Sequence, residues 1–171
     1  MQIVCYQDSY KEQVIGLILD IQNQEAKINL TLEEQPDLYD IQTSYIRSGG
    51  NFWIALNERG EVIGTIGLMK KQEGYAILKK FFVHSGYRRQ KVGYELYQTL
   101  MEYCVKNQVK AILLDTPSVA KDSHRFYEKN GFVRIAKEDL PIPYEYPDRN
   151  SYLYFHDLSR NPTADPLFCE K

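Results

Sequence analysis

The middle of the chain carries a strand, a loop, a helix and a second strand in succession, and this order limits the fold more than any other feature. The run YAILKKFFV at 75–83 has the aromatic and branched residues of a strand. Apolar residues then recur every four positions and share one face of a helix: Val92, Leu96, Leu100 and Cys104. AILLD at 111–115 is continuously apolar, which is typical of a central strand covered on both faces. A mixed αβ domain is therefore predicted.

The residues before this segment predict a strand and two helices. A short apolar run at 3–6 is the strand. The first helix has its apolar residues at Val14, Leu17, Ile18 and Ile21. Thr31 precedes Glu34 by three positions, the spacing at which two such side chains cap a helix start reciprocally. A second helix is therefore expected over 32–46.

Four further strands and a short helix complete the pattern. Strands at 52–57 and 61–69 are joined by a turn and are expected to form a β-hairpin. The short helix ends at 130–131, where Asn and Gly tolerate the left-handed conformation of a helix C-cap. The last strands lie at 132–136 and 151–158, so about seven strands are expected in all.

Length and composition favour one domain. The chain has 171 residues, of which 43% are hydrophobic and 26% are charged, and both values are ordinary for globular proteins. We expect a single domain over 1–158 and a polar, proline-broken tail over 159–171 that is mobile or bound to a neighbouring molecule. Whether the tail pairs two subunits in a homodimer stays open.

The charge balance and the lack of apolar segments argue against two classes of partner. The 21 basic and 23 acidic residues give a net charge of −2, which argues against a nucleic-acid-binding protein. No stretch approaches the roughly 20 apolar residues that span a bilayer, and the N-terminus lacks the features of a signal peptide. The chain is therefore expected to be soluble, with neither a membrane nor a nucleic acid as its partner.

The cysteines and histidines predict neither disulfides nor a metal site. Cys5, Cys104 and Cys169 are odd in number and widely scattered, so they form no disulfide framework and no metal-ligand spacing. The three histidines have no paired spacing either. A reducing cytoplasm is the predicted location.

The loop that precedes the central helix is a candidate anion site. It carries Arg88, Arg89 and Lys91, and Gly93 lies in the first turn of the helix. The first N–H groups of a helix have no acceptor within it, and the helix dipole adds about half a positive charge there, so backbone alone can hold a phosphate. Basic residues at a helix start are often only solvated, and that alternative stays open for the loop taken alone.

This loop and the residues downstream together resemble the GCN5-related N-acetyltransferase (GNAT) superfamily. The resemblance rests on YRRQKVGYEL at 87–96, which follows FFV, and on FYEKNGF at 126–132. The superfamily's diphosphate loop has Arg or Gln, two residues, Gly, one residue, then Gly or Ala. These positions are Arg88, Lys91 and Gly93 here, so a lysine stands in place of the usual glycine. The resemblance implies a GNAT fold of α/β (α+β) class, with helices on both faces of a mixed, mostly antiparallel sheet.

The resemblance also implies an acyltransferase that uses acetyl-coenzyme A as co-substrate. The acetyl group would pass to an amine that attacks directly in a ternary complex, and the co-substrate would lie between the strands at 75–83 and 111–116. The residues implied to bind it, mainly through backbone groups, are Phe82, Val83, Arg88, Arg89, Gln90, Lys91, Val92, Gly93 and Tyr94.

Tyr127 matches the superfamily tyrosine that assists departure of the thiolate. A free tyrosine has a pKa near 10 against about 8.5 for a thiol, so full proton donation would be uphill. We therefore expect the Tyr127 hydroxyl to donate a hydrogen bond to the developing thiolate. The alternative is a packing role beside Phe126 on the short helix.

A small-molecule amine is the expected acceptor. The resemblance places its pocket among the first two helices and the late loop, where the candidates are Glu33, Glu34, Asp37, Tyr39, Tyr144, Glu145 and Tyr146. Helix capping by Glu34 and solvated charge elsewhere are the alternatives. The strand at 75–83 offers only Lys79 and Lys80 among charged residues, so deprotonation of the amine through ordered water is expected.

Two rival functions stay open. The first is a binding or regulatory module that kept the fold but lost turnover, because Lys91 and Ala120 replace a superfamily glycine and asparagine. The second is a nucleic-acid patch formed by Lys79, Lys80 and the basic loop, which the overall charge of −2 makes the weakest.

Overall fold

A computed structural model describes residues 1–147 and 150–159. Its strands and helices are β1 (Gln2–Cys5), α1 (Lys11–Asp20), β2 (Asn51–Leu56), β3 (Val62–Lys70), β4 (Tyr75–Val83), α2 (Val92–Lys106), β5 (Ala111–Pro117), α3 (Lys121–Lys129), β6 (Val133–Ile135) and β7 (Ser151–Asp157). The seven strands of this part of the chain form one sheet in the order β1-β2-β3-β4-β5-β7-β6. The predicted tail lies, except for Ser159, outside the described residues.

The sheet is mixed, as the sequence predicts. Neighbouring strands are antiparallel except for β4 and β5, which run parallel because the α2 crossover returns the chain to the same end of the sheet. One face packs against α1, and the other packs against α2 and α3. The predicted fold class is confirmed.

Local patterns of the sequence lie behind these elements. The four apolar residues of α2 that recur every fourth position are all buried, and β5 is central, with its apolar run buried between β4 and β7. Gly131 follows α3 with φ of +90°, the left-handed conformation expected of a C-cap. None of the helices in the described part is long and apolar enough to cross a membrane.

The predicted second helix over 32–46 is wrong. Thr31 and Glu34 do make the reciprocal contacts: the Thr31 N–H donates to Glu34 Oε2 at 2.9 Å, and the Glu34 N–H donates to Thr31 Oγ1 at 3.3 Å. The chain then forms only a 3-10 turn at Pro36–Leu38 and a π-helical turn at Gln42–Ile46. The physical reason is Pro36, which has no N–H to continue an α-helix and clashes with the preceding turn.

The sheet opens between its two parallel strands. Pairing between β4 and β5 is confined to 75–77 and 111–113, although the strands continue to Val83 and Pro117. Throughout its length β5 stays paired with β7. The far half of β4 therefore leaves β5, and a cleft is open between them.

A bulge in β4 changes which side chains face this cleft. Lys80 has φ of +55°, the pairing of β4 with β3 shifts there, and Thr65 Oγ1 donates to the Lys80 carbonyl at 2.6 Å. Side chains along a regular strand alternate between faces, and a bulge breaks that alternation. Lys79 lies beside Ile77, while Lys80 reaches Asp37 on the α1 side of the sheet. Two consecutive lysines thus face the same side.

Close packing of α2 on β3 depends on a glycine. A Cβ added at Gly64 would lie 2.9 Å from Leu96 Cδ1 and 3.2 Å from both the Phe82 carbonyl oxygen and Val92 Cγ1. We expect Gly64→Ala to lower the free energy of unfolding by about 1–3 kcal/mol, because this core has no room for the methyl group. Gly16 of α1 has nothing within 4 Å of such a Cβ, so Gly16→Ala should raise stability by about 0.5–1 kcal/mol. Urea denaturation measures both, and a Gly64→Ala protein as stable as the wild type would contradict the expectation.

Candidate active site

The loop before α2 presents a run of free backbone N–H groups. Arg89 and Lys91 have φ of +63° and +65°, and such left-handed residues turn successive N–H groups toward one concave side. Among the described residues, no N–H of 89–94 donates a hydrogen bond, and the first that does is Glu95, to the Lys91 carbonyl at 2.9 Å. Lys91 stands where the superfamily resemblance places a glycine. A positive φ costs a non-glycine residue about 1–2 kcal/mol, which explains why glycine is preferred at this position.

The side chains of this loop differ in what they contact. Arg88 Nε donates to the Val83 carbonyl at 3.0 Å, and its guanidinium forms an ion pair with Glu25. Gln90 Nε2 donates to the Gly86 carbonyl at 3.1 Å. Arg88 therefore ties the loop to the end of β4. Among the other predicted loop residues, Val92 is buried and Gly93 is half-buried. The exposed ones are Arg89, Lys91 and Tyr94.

The end of β4 leaves one backbone amide on the cleft side. The His84 N–H donates to the Ile63 carbonyl of β3 at 2.9 Å. Because N–H and C=O directions alternate along an antiparallel pair, the backbone groups of Val83 point away from β3, toward the opening. Phe82 pairs with Thr65 of β3. The sequence prediction named both Phe82 and Val83. The structure turns the Val83 amide toward the cleft.

Tyr127 lies at the other side of this opening, on α3. Its side chain is only 6% exposed, and its ring packs against Phe81, Phe132 and Tyr154. Within the described part its hydroxyl forms no hydrogen bond, and no fully buried polar side-chain atom there lacks a partner, so this oxygen reaches accessible space. Burial raises the pKa of Tyr127, and the Asp115 carboxylate raises it further. The hydroxyl is a weak acid with an unused hydrogen-bond donor.

Asp115 is the acidic residue at the cleft that the sequence reasoning missed. It follows the last residue of β5 that pairs with β4 by two positions, and the Tyr144 hydroxyl donates to its Oδ1 at 3.2 Å. Burial raises the pKa of the Asp115 carboxyl, while Lys79 and Lys80 oppose that rise. The sequence does contain one signal for this residue, namely a carboxylate at the end of a continuously apolar central strand.

A buried polar network fixes Lys80. Its Nζ lies 3.5 Å from Asp37 Oδ2 and donates to Gln35 Oε1 at 2.7 Å. The Tyr45 hydroxyl donates to Asp37 Oδ2 at 2.5 Å, and Gln35 exchanges amide hydrogen bonds with Gln22. Burial lowers the pKa of Lys80, although Asp37 opposes that shift. Asp37, an acceptor candidate in the sequence, thus holds the loop after α1 against β4.

The remaining acceptor candidates separate in space. Tyr144 lies at the cleft through its contact with Asp115. Glu33 is exposed. Tyr39 is 46% exposed, and its carbonyl accepts a hydrogen bond from the Lys11 ammonium group. The structure brings Tyr144 together with the cleft residues but gives Glu33 and Tyr39 no contact with them among the described residues.

Known proteins share this fold. A family model for the acetyltransferase (GNAT) family matches residues 15–132. A GNAT-family acetyltransferase from Staphylococcus aureus Mu50, solved as a crystal structure, is 37% identical with a TM-score of 0.89, and the match covers 92% of this chain and 98% of that one. The PaiA N-acetyltransferase from Thermoplasma acidophilum, solved in complex with coenzyme A, has the same fold: it is 17% identical with a TM-score of 0.70, covering 91% and 98% of the two chains.

A relative with a named product is also similar. The N-acetylaspartate synthetase of Danio rerio is 28% identical over 110 residues, which are 63% of this chain and 39% of the synthetase. This chain therefore spans less than half of that relative's length. Since the family model covers more than half of the residues, from within α1 to just beyond the tyrosine-bearing α3, the chain belongs to the acetyltransferase (GNAT) family, a family of acyltransferases.

Proposed function

We propose that this chain transfers an acetyl group from acetyl-coenzyme A to the amine of a small molecule. The observation that carries the proposal is the cleft between β4 and β5, which has free N–H groups at one end and Tyr127 and Asp115 at its sides. When bound, acetyl-coenzyme A supplies an acetyl group activated as a thioester. The rest of the chemistry belongs to residues of this chain.

The loop fits the diphosphate of coenzyme A. Its residues are Arg88, Arg89, Gln90, Lys91, Val92, Gly93 and Tyr94, and six of them, 89–94, carry the free N–H groups. A hydrogen bond to a charged group contributes about 1.5–3 kcal/mol, and the dipole of α2 favours an anion at this end. Arg89 and Lys91 add positive charge from exposed side chains. Arg88, already paired with Glu25, contributes by holding the loop in place.

Residues on the two sides of the cleft supply the remaining catalytic roles. The Val83 N–H donates a hydrogen bond to the thioester carbonyl oxygen, where negative charge develops. The neighbouring Phe82 helps to position it by pairing with β3. Asp115 accepts a proton from the acceptor ammonium, because a carboxyl with a raised pKa is a better base than an ordinary one. This role replaces the water-only route expected from the sequence. Tyr127 donates a hydrogen bond to the departing sulfur.

The transfer balances through these groups. The neutral amine nitrogen bonds to the acetyl carbon, the carbon–sulfur bond breaks, and its electron pair leaves on sulfur. Before attack the acceptor ammonium releases one proton to Asp115, and the nitrogen releases a second as the amide forms; one proton ends on the thiol and the other passes from Asp115 to water. No oxidant or further reactant is needed.

Binding and turnover test this proposal separately. Calorimetric titration should show binding of acetyl-coenzyme A, and S-acetylpantetheine, which lacks the diphosphate, should bind at least about tenfold more weakly, a difference of about 1.4 kcal/mol or more. A thiol reporter with a panel of amines then measures transfer. Equal affinity for the two thioesters would contradict the diphosphate site. Binding without thiol release from any amine would contradict the transferase and favour the binding module.

A further inference from the structure

We infer that the acceptor is an amine that also carries a carboxylate, of the amino acid class. This inference rests on the proposed function and adds the substrate class. It comes from a cavity that adjoins the cleft on the α1 side of the sheet and from the charges that line it.

The cavity has a volume of about 680 Å³ and a positive lining. Three lysines from separate elements line it: Lys71 after β3, Lys79 on β4 and Lys137 in the late loop. Glu145 is the one acidic residue among the described lining residues. Since cations from three separate elements converge here, the field inside favours an anionic group.

Lys79 is the cation best placed for such a group. The β4 bulge turns two consecutive lysines to one side, and Asp37 and Gln35 engage only Lys80. Neither Lys71 nor Lys79 has an ion-pair partner within 4 Å in the described part of the chain. A half-buried ammonium without such a partner has N–H donors to offer, and a ligand carboxylate would accept a charge-assisted hydrogen bond from it.

The opposite charge lies beside the same cavity, at the cleft. Tyr144 lines the cavity and donates to Asp115, so a carboxylate borders the cavity at the cleft. Lys79 is close enough to act on that carboxylate, and Lys71 and Lys137 line the cavity from other elements. A molecule bearing both an amine and a carboxylate matches these charges, with its amine toward Asp115 and the cleft. Met69, Ile77 and Ile142 form an apolar wall for its side chain.

The same charges disfavour other amines. An acceptor with several positive groups would place them against Lys71 and Lys79 and be repelled. A simple alkylamine would leave the Lys79 ammonium without a partner. Selection for the carboxylate therefore comes from the lysines rather than from Asp115.

The test compares acceptors that differ only in the carboxylate. Leucine, leucinamide and isopentylamine are assayed by thiol release at saturating acetyl-coenzyme A, and the same series is repeated with other apolar side chains. We expect kcat/KM for the amino acid to exceed that for the other two by at least tenfold. The amide has the less basic amine, so a larger fraction of it is the reactive free amine at neutral pH, and a preference for the acid over the amide must come from binding.

Lys79 variants assign that preference to a residue. Lys79→Met should lower kcat/KM for the amino acid by tenfold or more while changing that for the amide less than threefold, and Lys79→Arg should retain most of the preference. Lys106→Met, which removes an exposed lysine at the end of α2, should leave both values unchanged. Loss of the Lys79 charge also acts on Asp115, but that effect is common to both acceptors and cancels in the ratio.

The outcomes separate this inference from the function on which it rests. Turnover of amines without preference for the carboxylate, or a Lys79→Met variant that lowers both acceptors equally, overturns the inference and leaves the transferase intact. Failure to bind acetyl-coenzyme A overturns both.

Discussion

Asp115→Asn is expected to lower kcat with an amine acceptor by about 100-fold or more at neutral pH, the range observed when a general base is removed. Asparagine has the same shape and can still accept the hydrogen bond from Tyr144, but its amide cannot take a proton from the acceptor. The assay is thiol release under saturating conditions. Acetyl-coenzyme A affinity and thermal stability, measured alongside, show whether the site is otherwise intact.

The pH profile separates loss of a base from loss of structure. Burial raises the pKa of the Asp115 carboxyl above its ordinary value of 3.8, so the wild-type rate should rise with pH through that elevated pKa as the carboxylate forms. The Asp115→Asn variant should lack this rise in rate with pH. Its rate should recover at high pH, where free amine is abundant.

Asp122→Asn is the matched control for this experiment, because its side chain on α3 is 99% exposed and makes only a surface ion pair. It should leave kcat and the pH profile unchanged. A D115N protein within threefold of the wild-type rate at pH 7 would remove Asp115 from the mechanism.

Tyr127→Phe is expected to lower kcat by about 10- to 100-fold, the equivalent of one hydrogen bond to a developing charge. The hydroxyl has no hydrogen bond within the described part of the chain, so its removal should leave the free energy of unfolding nearly unchanged. Affinity for acetyl-coenzyme A should stay within twofold. Steady-state kinetics, calorimetry and denaturation measure the three quantities.

Tyr154→Phe is the control that separates hydroxyl chemistry from ring packing. Tyr154 packs against the Tyr127 ring at 6.0 Å, but its hydroxyl donates to Glu128 at 2.9 Å. This variant should lose about 1 kcal/mol of stability and keep its turnover. Unchanged turnover in Tyr127→Phe would mean that Tyr127 is a packing residue, the alternative considered from the sequence.

The sequence predicts well where a short stretch of chain decides the outcome. The spacing of apolar residues in α2 and the continuous run of β5 correspond to buried positions, because helix and strand periodicities act over a few residues. The contact between Thr31 and Glu34 also forms as expected. Its failure to begin a long helix shows the limit of a single signal, since Pro36 lies two residues farther on and overrides it.

The candidate site is predicted less completely, because its parts meet over long separations. The loop at 88–94 was predicted from its basic residues and from the family resemblance, and Tyr127 from the resemblance; each lies within one short stretch of chain. Asp115 and Tyr144 are 29 residues apart, and Lys80 and Gln35 are 45 residues apart. No local spacing of residues in the sequence predicts either contact.

The amino-acid sequence by itself determined the order of the seven strands, the central helix and the family resemblance, since all of these depend on neighbouring residues. Only the tertiary structure decided that Asp115 borders the cleft, that Asp37 holds Lys80, and that Lys79 is left facing a cavity. The physical reason is the β4 bulge together with the end of β4–β5 pairing after residue 77. Both depend on how β4 fits between β3 and the more distant β5, and side chains that alternate on an ideal strand are redirected there.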